Sequence, residues 1–96
     1  MSDFSQNLKI YRKQKKLSQQ ALAEILNYGS TAIANYESGR NEPSFSDLTK
    51  LADILDVTID ELLGVPLKTT EQQLLSAYKK LDSEKQRVLL ELIQLL

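Results

Sequence analysis

One run of spacing constrains this chain more than its composition does. Ala23 is small, Asn27 follows four positions later, and Ile33 stands six positions beyond that. Two helices that cross closely need a small side chain at the crossing point. They need a residue that tolerates left-handed backbone at the turn, and an aliphatic on the second helix to fill the wedge. Leu22, Leu26 and Tyr36 are placed to complete that wedge. The pattern predicts a helix ending near Leu26, a turn at Asn27, and a second helix over about 30–37 that Ser38-Gly39 stops.

The flanks also read as helix. Phe4, Leu8 and Tyr11 recur at helical spacing over about 4–15, and Ser18 caps the helix that follows, whose buried side is expected to hold Leu22, Ala23, Ile25 and Leu26. Pro43-Ser44 opens a further helix with Phe45, Leu48, Leu51, Ala52 and Leu55 as its core face, and Ser44 and Asp47 stand at nearly a capping-box spacing. Thr58 caps a short helix that carries Ile59, Leu62 and Leu63 and ends at Gly64. Val65-Pro66-Leu67-Lys68 interrupts helix, because proline lacks an N–H and biases its predecessor away from helical geometry. Beyond it, Thr70 and Gln73 form a capping-box pair before a stripe of Leu74, Ala77, Tyr78 and Leu81. A last helix starts at Asp82 or Ser83 and runs to the end. The expected fold is all-α with seven helices: a five-helix domain over 1–64, a linker over 65–69, and a helical hairpin over 70–96.

Composition removes several function classes. Of the residues 42% are hydrophobic and 26% charged, a balance suited to a packed soluble domain. The chain has no Cys and no His, so disulfides, zinc-finger sites and the commonest catalytic bases and nucleophiles are excluded. No segment approaches a membrane span, and the first ten residues lack a signal-peptide apolar region. The net charge of −1 hides an asymmetry. Up to position 40 the cations Lys9, Arg12, Lys13, Lys15, Lys16 and Arg40 face only Asp3, Glu24 and Glu37; over 41–64 only Lys50 stands against Glu42, Asp47, Asp53, Asp56, Asp60 and Glu61. A local basic field can attract phosphates even when the whole chain is nearly neutral.

With these blocks in order, the sequence resembles the family of lambdoid phage repressors, Cro proteins and Xre-type regulators. The resemblance runs over roughly 4–64 and rests on Leu-Ser-Gln at 17–19, Leu-Ala-Glu at 22–24, Ile-Ala-Asn-Tyr-Glu-Ser-Gly at 33–39, Glu-Pro-Ser at 42–44, Leu-Ala-Asp-Ile-Leu-Asp-Val at 51–57 and Ile-Asp-Glu-Leu-Leu-Gly at 59–64. It implies a five-helix, repressor-like DNA-binding domain whose helix-turn-helix presents its second helix to the major groove, which at about 12 Å wide admits one helix. It implies that Ser30, Thr31 and Asn35 face base edges. Arg12, Ser18, Gln19, Arg40, Asn41, Ser44 and Phe45 would lie at the DNA backbone, the last two through their N–H groups, and Arg12 and Glu37 would form a structural ion pair. Ser30 and Asn35 stand where many relatives carry Arg, so the Arg-to-guanine contact is missing there; Gly29 replaces a capping Ser, and Tyr28 a small aliphatic.

Each assignment has a plainer counterpart. Ser30 and Thr31 could simply start a helix, Asn35 could be an amide that only meets solvent, Lys13, Lys15 and Lys16 a solvated face, and Arg12–Glu37 purely architectural. Ser76-Ala-Tyr-Lys79 fits a Ser-x-x-Lys pattern, but such sites need further motifs and a larger scaffold, so no catalytic residue is assigned. In the tail, Val88, Leu89, Leu92, Ile93 and Leu96 define a stripe that Leu90 and Leu95 widen. That surface needs cover from the first domain or from a second copy, or it marks a cut from a longer chain. The resulting expectation is a cytoplasmic, bacterial or phage-encoded transcriptional regulator, more a repressor than an activator. It would bind double-stranded DNA as a homodimer on a pseudo-palindromic operator, with no cofactor, metal, small-molecule ligand or membrane. A DNA-binding antitoxin and a protein-interaction adaptor without DNA binding are the alternatives.

Overall fold

The computed structural model describes residues 2–96. Among them run α1 (Ser2–Gln14), α2 (Gln19–Ile25), α3 (Ala32–Glu37), α4 (Phe45–Leu55), α5 (Ile59–Leu63), α6 (Thr70–Lys79) and α7 (Ser83–Gln94). They divide into two compact units, one ending at Pro66 and the other spanning Leu67–Leu96.

In the first unit α1 packs on α3 and α5, α2 on α3, and α4 on α5. Phe4 and Leu8 from α1, Leu22 and Ala23 from α2, Ile33 from α3, Leu48, Leu51 and Leu55 from α4, and Leu62 from α5 form one buried cluster. Each large aliphatic withdrawn this fully from water contributes roughly 1.5–3 kcal/mol. Polar ties fix the angles. Ser5 Oγ donates to the Tyr36 carbonyl at 2.8 Å, and Asn7 Nδ2 donates to the carbonyls of Glu61 and Leu62 at 3.3 and 3.2 Å. The Phe4 and Tyr36 rings meet edge-on with centroids 6.0 Å apart.

The helix boundaries follow local chemistry. Ser18 caps α2 by accepting from the Ala21 N–H, and the chain leaves α2 through Asn27 at φ +58°. Thr58 and Glu61 form a reciprocal capping box on α5, and Gly64 ends it at φ +81°. A Cβ at Gly64 would also stand 3.0 Å from Asp3 Cβ, so both backbone and space require glycine there.

Several sequence expectations are corrected. Ile25 is half exposed, not buried; on a helical wheel it lies on the far side of Leu22 from Ala23, off the core face. Phe45 is 74% exposed, not part of the α4 core face. It is the first residue of the helix, and helical side chains lean towards the N-terminus, so its ring projects past the helix end. The regular part of α3 begins at Ala32, with Ser30 and Thr31 in the preceding turn. The α6 capping box is Thr69 with Gln72, one residue earlier than expected; the Gln72 carboxamide oxygen accepts from the N–H groups of both Lys68 and Thr69.

The second unit is a helical hairpin. Asp82 caps α7, and Gln86 Nε2 donates to the Tyr78 carbonyl at 2.9 Å, tying α7 to α6. In place of the expected buried stripe, Leu74 and Ala77 are exposed and Ser76 is the buried residue of α6. Its hydroxyl accepts from Lys80 Nζ at 2.9 Å, a donor one residue beyond the Ser76–Lys79 motif. Helix α7 stops at Gln94 and buries none of its side chains. Between the helices lies an open apolar groove of about 270 Å3, walled by Leu74, Leu75, Tyr78, Leu89, Leu90 and Ile93.

Candidate nucleic-acid interface

The α2–turn–α3 unit is held at its outer end by one carboxylate. Glu37, the last residue of α3, accepts from Arg12 Nε at 2.6 Å and from Arg12 Nη2 at 3.0 Å. Gln19 Nε2, at the first position of α2, donates to the same carboxylate at 3.0 Å. Arg12 also donates to the Leu17 carbonyl at 2.8 Å, which satisfies the loop between α1 and α2. Both side chains of the ion pair are almost wholly withdrawn from water. The hydrogen bonds from Arg12 to Glu37 raise the guanidinium's proton affinity and outweigh the opposing effect of burial. A bidentate pair whose third guanidinium nitrogen is also hydrogen-bonded offsets part of the cost of burying two charges.

The same carboxylate therefore ties the start of α2 and the end of α3 to α1. At the other end of α3, Ser30 and Thr31 are exposed, and the Thr31 side chain makes no capping bond. The Thr31 hydroxyl is therefore not consumed in starting the helix. The backbone carbonyl of Asn35 accepts from the N–H groups of Arg40 and Asn41 at 3.0 and 3.3 Å, which folds the loop after α3 back onto it. The Arg40 and Asn41 side chains are exposed beside that loop. At the start of α4 the exposed residues Ser44 and Phe45 lead into the first turn, where Ser44 Oγ accepts from the Asp47 N–H at 3.1 Å. The leading N–H groups of a helix lack intrahelical partners and carry the positive end of its dipole.

Sequence reasoning left one cluster out. The Asp47 carboxylate does not reach back to the Ser44 N–H as a capping box would. It accepts instead from the Tyr28 hydroxyl at 2.6 Å and from the Tyr36 hydroxyl at 3.2 Å. The Tyr28 bond leads the effects that hold the Asp47 carboxyl below the ordinary carboxylate range. Burial first, and then Asp47, push the Tyr28 hydroxyl upward. The three residues come from the turn, from α3 and from α4, so no single periodicity connects them. The only available signal was Tyr28 at a turn position where a small residue is usual.

Lys13, Lys15 and Lys16 are exposed at the end of α1, and Lys15 pairs with Asp56 at the end of α4. Helix α3 itself carries no basic side chain. Among the described residues no cluster of acidic side chains could hold a metal, and no helix is long and apolar enough to cross a membrane.

Comparison with known proteins gives this geometry a context. A helix-turn-helix family model matches residues 8–62. The chain is 48% identical over 60 residues to the uncharacterized HTH-type transcriptional regulator YqaE of Bacillus subtilis, covering 62% of this chain and 52% of that one. It is 35% identical over 81 residues to the cryptic phage CTXphi transcriptional repressor RstR of Vibrio cholerae, covering 81% and 72%. With the HTH-type transcriptional activator BcrR of Enterococcus faecalis it shares 41% identity over 62 residues, covering 65% and 30%. The chain thus spans about half the length of a relative such as YqaE. No solved structure matches it.

Proposed function

The chain belongs to the helix-turn-helix family, and from that premise we propose that it is a sequence-specific DNA-binding transcriptional regulator, acting as a repressor that occludes a promoter. The observation that carries the reading is the Glu37 hub. It braces α2 and α3 against α1, while Ser30 and Thr31 lie in the turn that leads into α3 and Asn35 is the fourth residue of that helix. In the proposed complex those three read base edges in the major groove. Ser18, Gln19, Arg40 and Asn41, with the N–H groups at Ser44 and Phe45, hold the flanking phosphates; Arg12, expected from the sequence at the DNA backbone, is buried and bonded to Glu37 and the Leu17 carbonyl, so it braces the unit instead. The repressor sense is supported by RstR, which matches along most of this chain.

The domain over 1–64 would bind DNA, and the hairpin over 70–96 would pair with a second copy. Helix α7 and the residues after it support this second part, since Val88, Leu92 and Ile93 on the helix and Leu96 beyond it are exposed and Leu89 is half covered. Two copies covering these side chains would gain roughly 25 cal/mol for each Å2 of apolar surface removed from water. They would also offer two recognition helices to half-sites about 34 Å apart. No catalysis, cofactor, metal or small-molecule ligand is part of this reading, and the site of action is the cytoplasm.

The absence of a basic side chain on α3 favours one rival, a protein-interaction adaptor. Selection of binding sites from a random DNA pool tests the choice. A pseudo-palindromic consensus, bound with an affinity that falls steeply with salt, is the expected outcome. Failure to enrich any sequence, together with salt-insensitive association, would replace the DNA-binding reading with the adaptor.

A further inference from the structure

We propose that Tyr28, Tyr36 and Asp47 form a positioning bridge that sets the register between the base-reading helix α3 and the phosphate-holding start of α4. The inference rests on the DNA-binding reading above but concerns residues to which that reading gives no role.

The geometry is that of a three-way joint. One carboxylate oxygen accepts from Tyr28, which lies in the turn between α2 and α3, and the other accepts from Tyr36 on α3. The carboxylate sits on the first turn of α4, whose N–H at the same residue is held by Ser44 Oγ. Position 47 is the third residue of α4, so its carboxylate is anchored one turn or less behind the Ser44 and Phe45 N–H groups proposed to meet a phosphate. Both rings are half buried, and both pack against the core cluster. Their hydroxyls are therefore fixed by packing before they meet the carboxylate. Hydrogen bonds to an ionised acceptor are roughly twice as strong as neutral ones and are directional.

The bridge also gives Asp47 a place where a negative charge is tolerated near a proposed phosphate contact. Its two oxygens are each committed to a phenol donor. Without the bridge, α4 would remain attached through α5, on which it packs, but its leading end would lose these direct polar links to the turn and to α3. Reading and gripping would then no longer share one rigid frame. A misplacement of about 1 Å is enough to degrade a preorganised contact.

The test uses the full chain, its selected operator, and a set of operators in which single phosphates are replaced by neutral methylphosphonate. For the parent, neutralising the phosphate at the start of α4 should weaken binding, as should neutralising the one beside Gln19. Tyr28→Phe deletes one hydroxyl and keeps the ring. It should stay folded by circular dichroism, bind the intact operator on the order of tenfold more weakly, in line with loss of one charge-assisted hydrogen bond, and lose most of its penalty at the α4 phosphate alone. Its penalty at the Gln19 phosphate should match the parent's. Tyr36→Phe should act in the same direction, and the two substitutions together should cost less than the product of their separate effects. A folded Tyr28→Phe protein with the parent's penalty at every phosphate, or with penalties reduced uniformly, overturns the bridge. A parent that selects no DNA site fails the underlying reading instead, so the two failures are distinct.

Discussion

Replacing Glu37 by leucine should be strongly destabilising to the first unit. The substitution conserves approximate volume but removes the acceptor of both Arg12 bonds and of the Gln19 bond. Arg12 is 7% exposed, so its charge cannot recover water without local opening. Gln19 is only half covered and can find solvent, and Arg12 keeps its bond to the Leu17 carbonyl. The cost is therefore chiefly that of one uncompensated buried charge, about 3–5 kcal/mol. Against a total stability of about 5–15 kcal/mol this leaves the domain marginal. For a domain of this size each kcal/mol moves Tm by roughly 4–8 °C, so Tm should fall by roughly 12 °C or more. Replacing both partners, Arg12→Met with Glu37→Leu, should restore most of the loss, because an apolar pair has no charge to desolvate. The residual deficit should reflect the orphaned Leu17 carbonyl, about 1–3 kcal/mol. Urea and thermal denaturation followed by circular dichroism would measure all three proteins. A loss under about 1 kcal/mol for Glu37→Leu, the value of a surface pair, would refute the claim that the hub is buried. So would a double variant no more stable than the single one.

Three further outcomes follow from the proposed roles and the site chemistry. Asn35→Ala should relax preference at one base pair per half-site, at a discrimination cost of about 1–3 kcal/mol, measured against single-base operator variants; an unchanged profile removes Asn35 from the reading set. Leu92→Lys should turn a dimer into a monomer in sedimentation at micromolar concentration and weaken binding to the two-site operator far more than to one half-site, whereas a parent that sediments as a monomer sinks the dimer. The lowered Asp47 carboxyl favours the folded state above the unfolded value of about 4, and that contribution drains as pH falls through it towards the folded value. Asp47→Asn should therefore lose less stability than the parent between neutral and acid pH in urea melts, and an equal loss would show that the phenol bonds do not act on this carboxyl.

Local chemistry determined much of this protein. Ser18, Asn27, Ser44, Thr58, Gly64 and Asp82 start or stop helices through atoms within a few residues of themselves, so their roles can be read without a fold. The spacing of Ala23, Asn27 and Ile33 likewise carries the crossing of α2 and α3, because a small side chain, a left-handed turn and a buried aliphatic at fixed intervals leave little other choice. The tertiary structure decided where each helix actually begins and which distant side chains meet. Pattern alone places Phe45 on the α4 core face; its position at the helix end sends the ring into solvent. Two adjacent threonines each satisfy the capping-box rule before α6, and only the folded chain selects Thr69. Asp47 looks like half of a cap, yet its carboxylate goes to two tyrosines 19 and 11 residues away in sequence. A carboxylate takes the best donors that packing brings within reach, and packing is a property of the whole domain and not of any window along the chain.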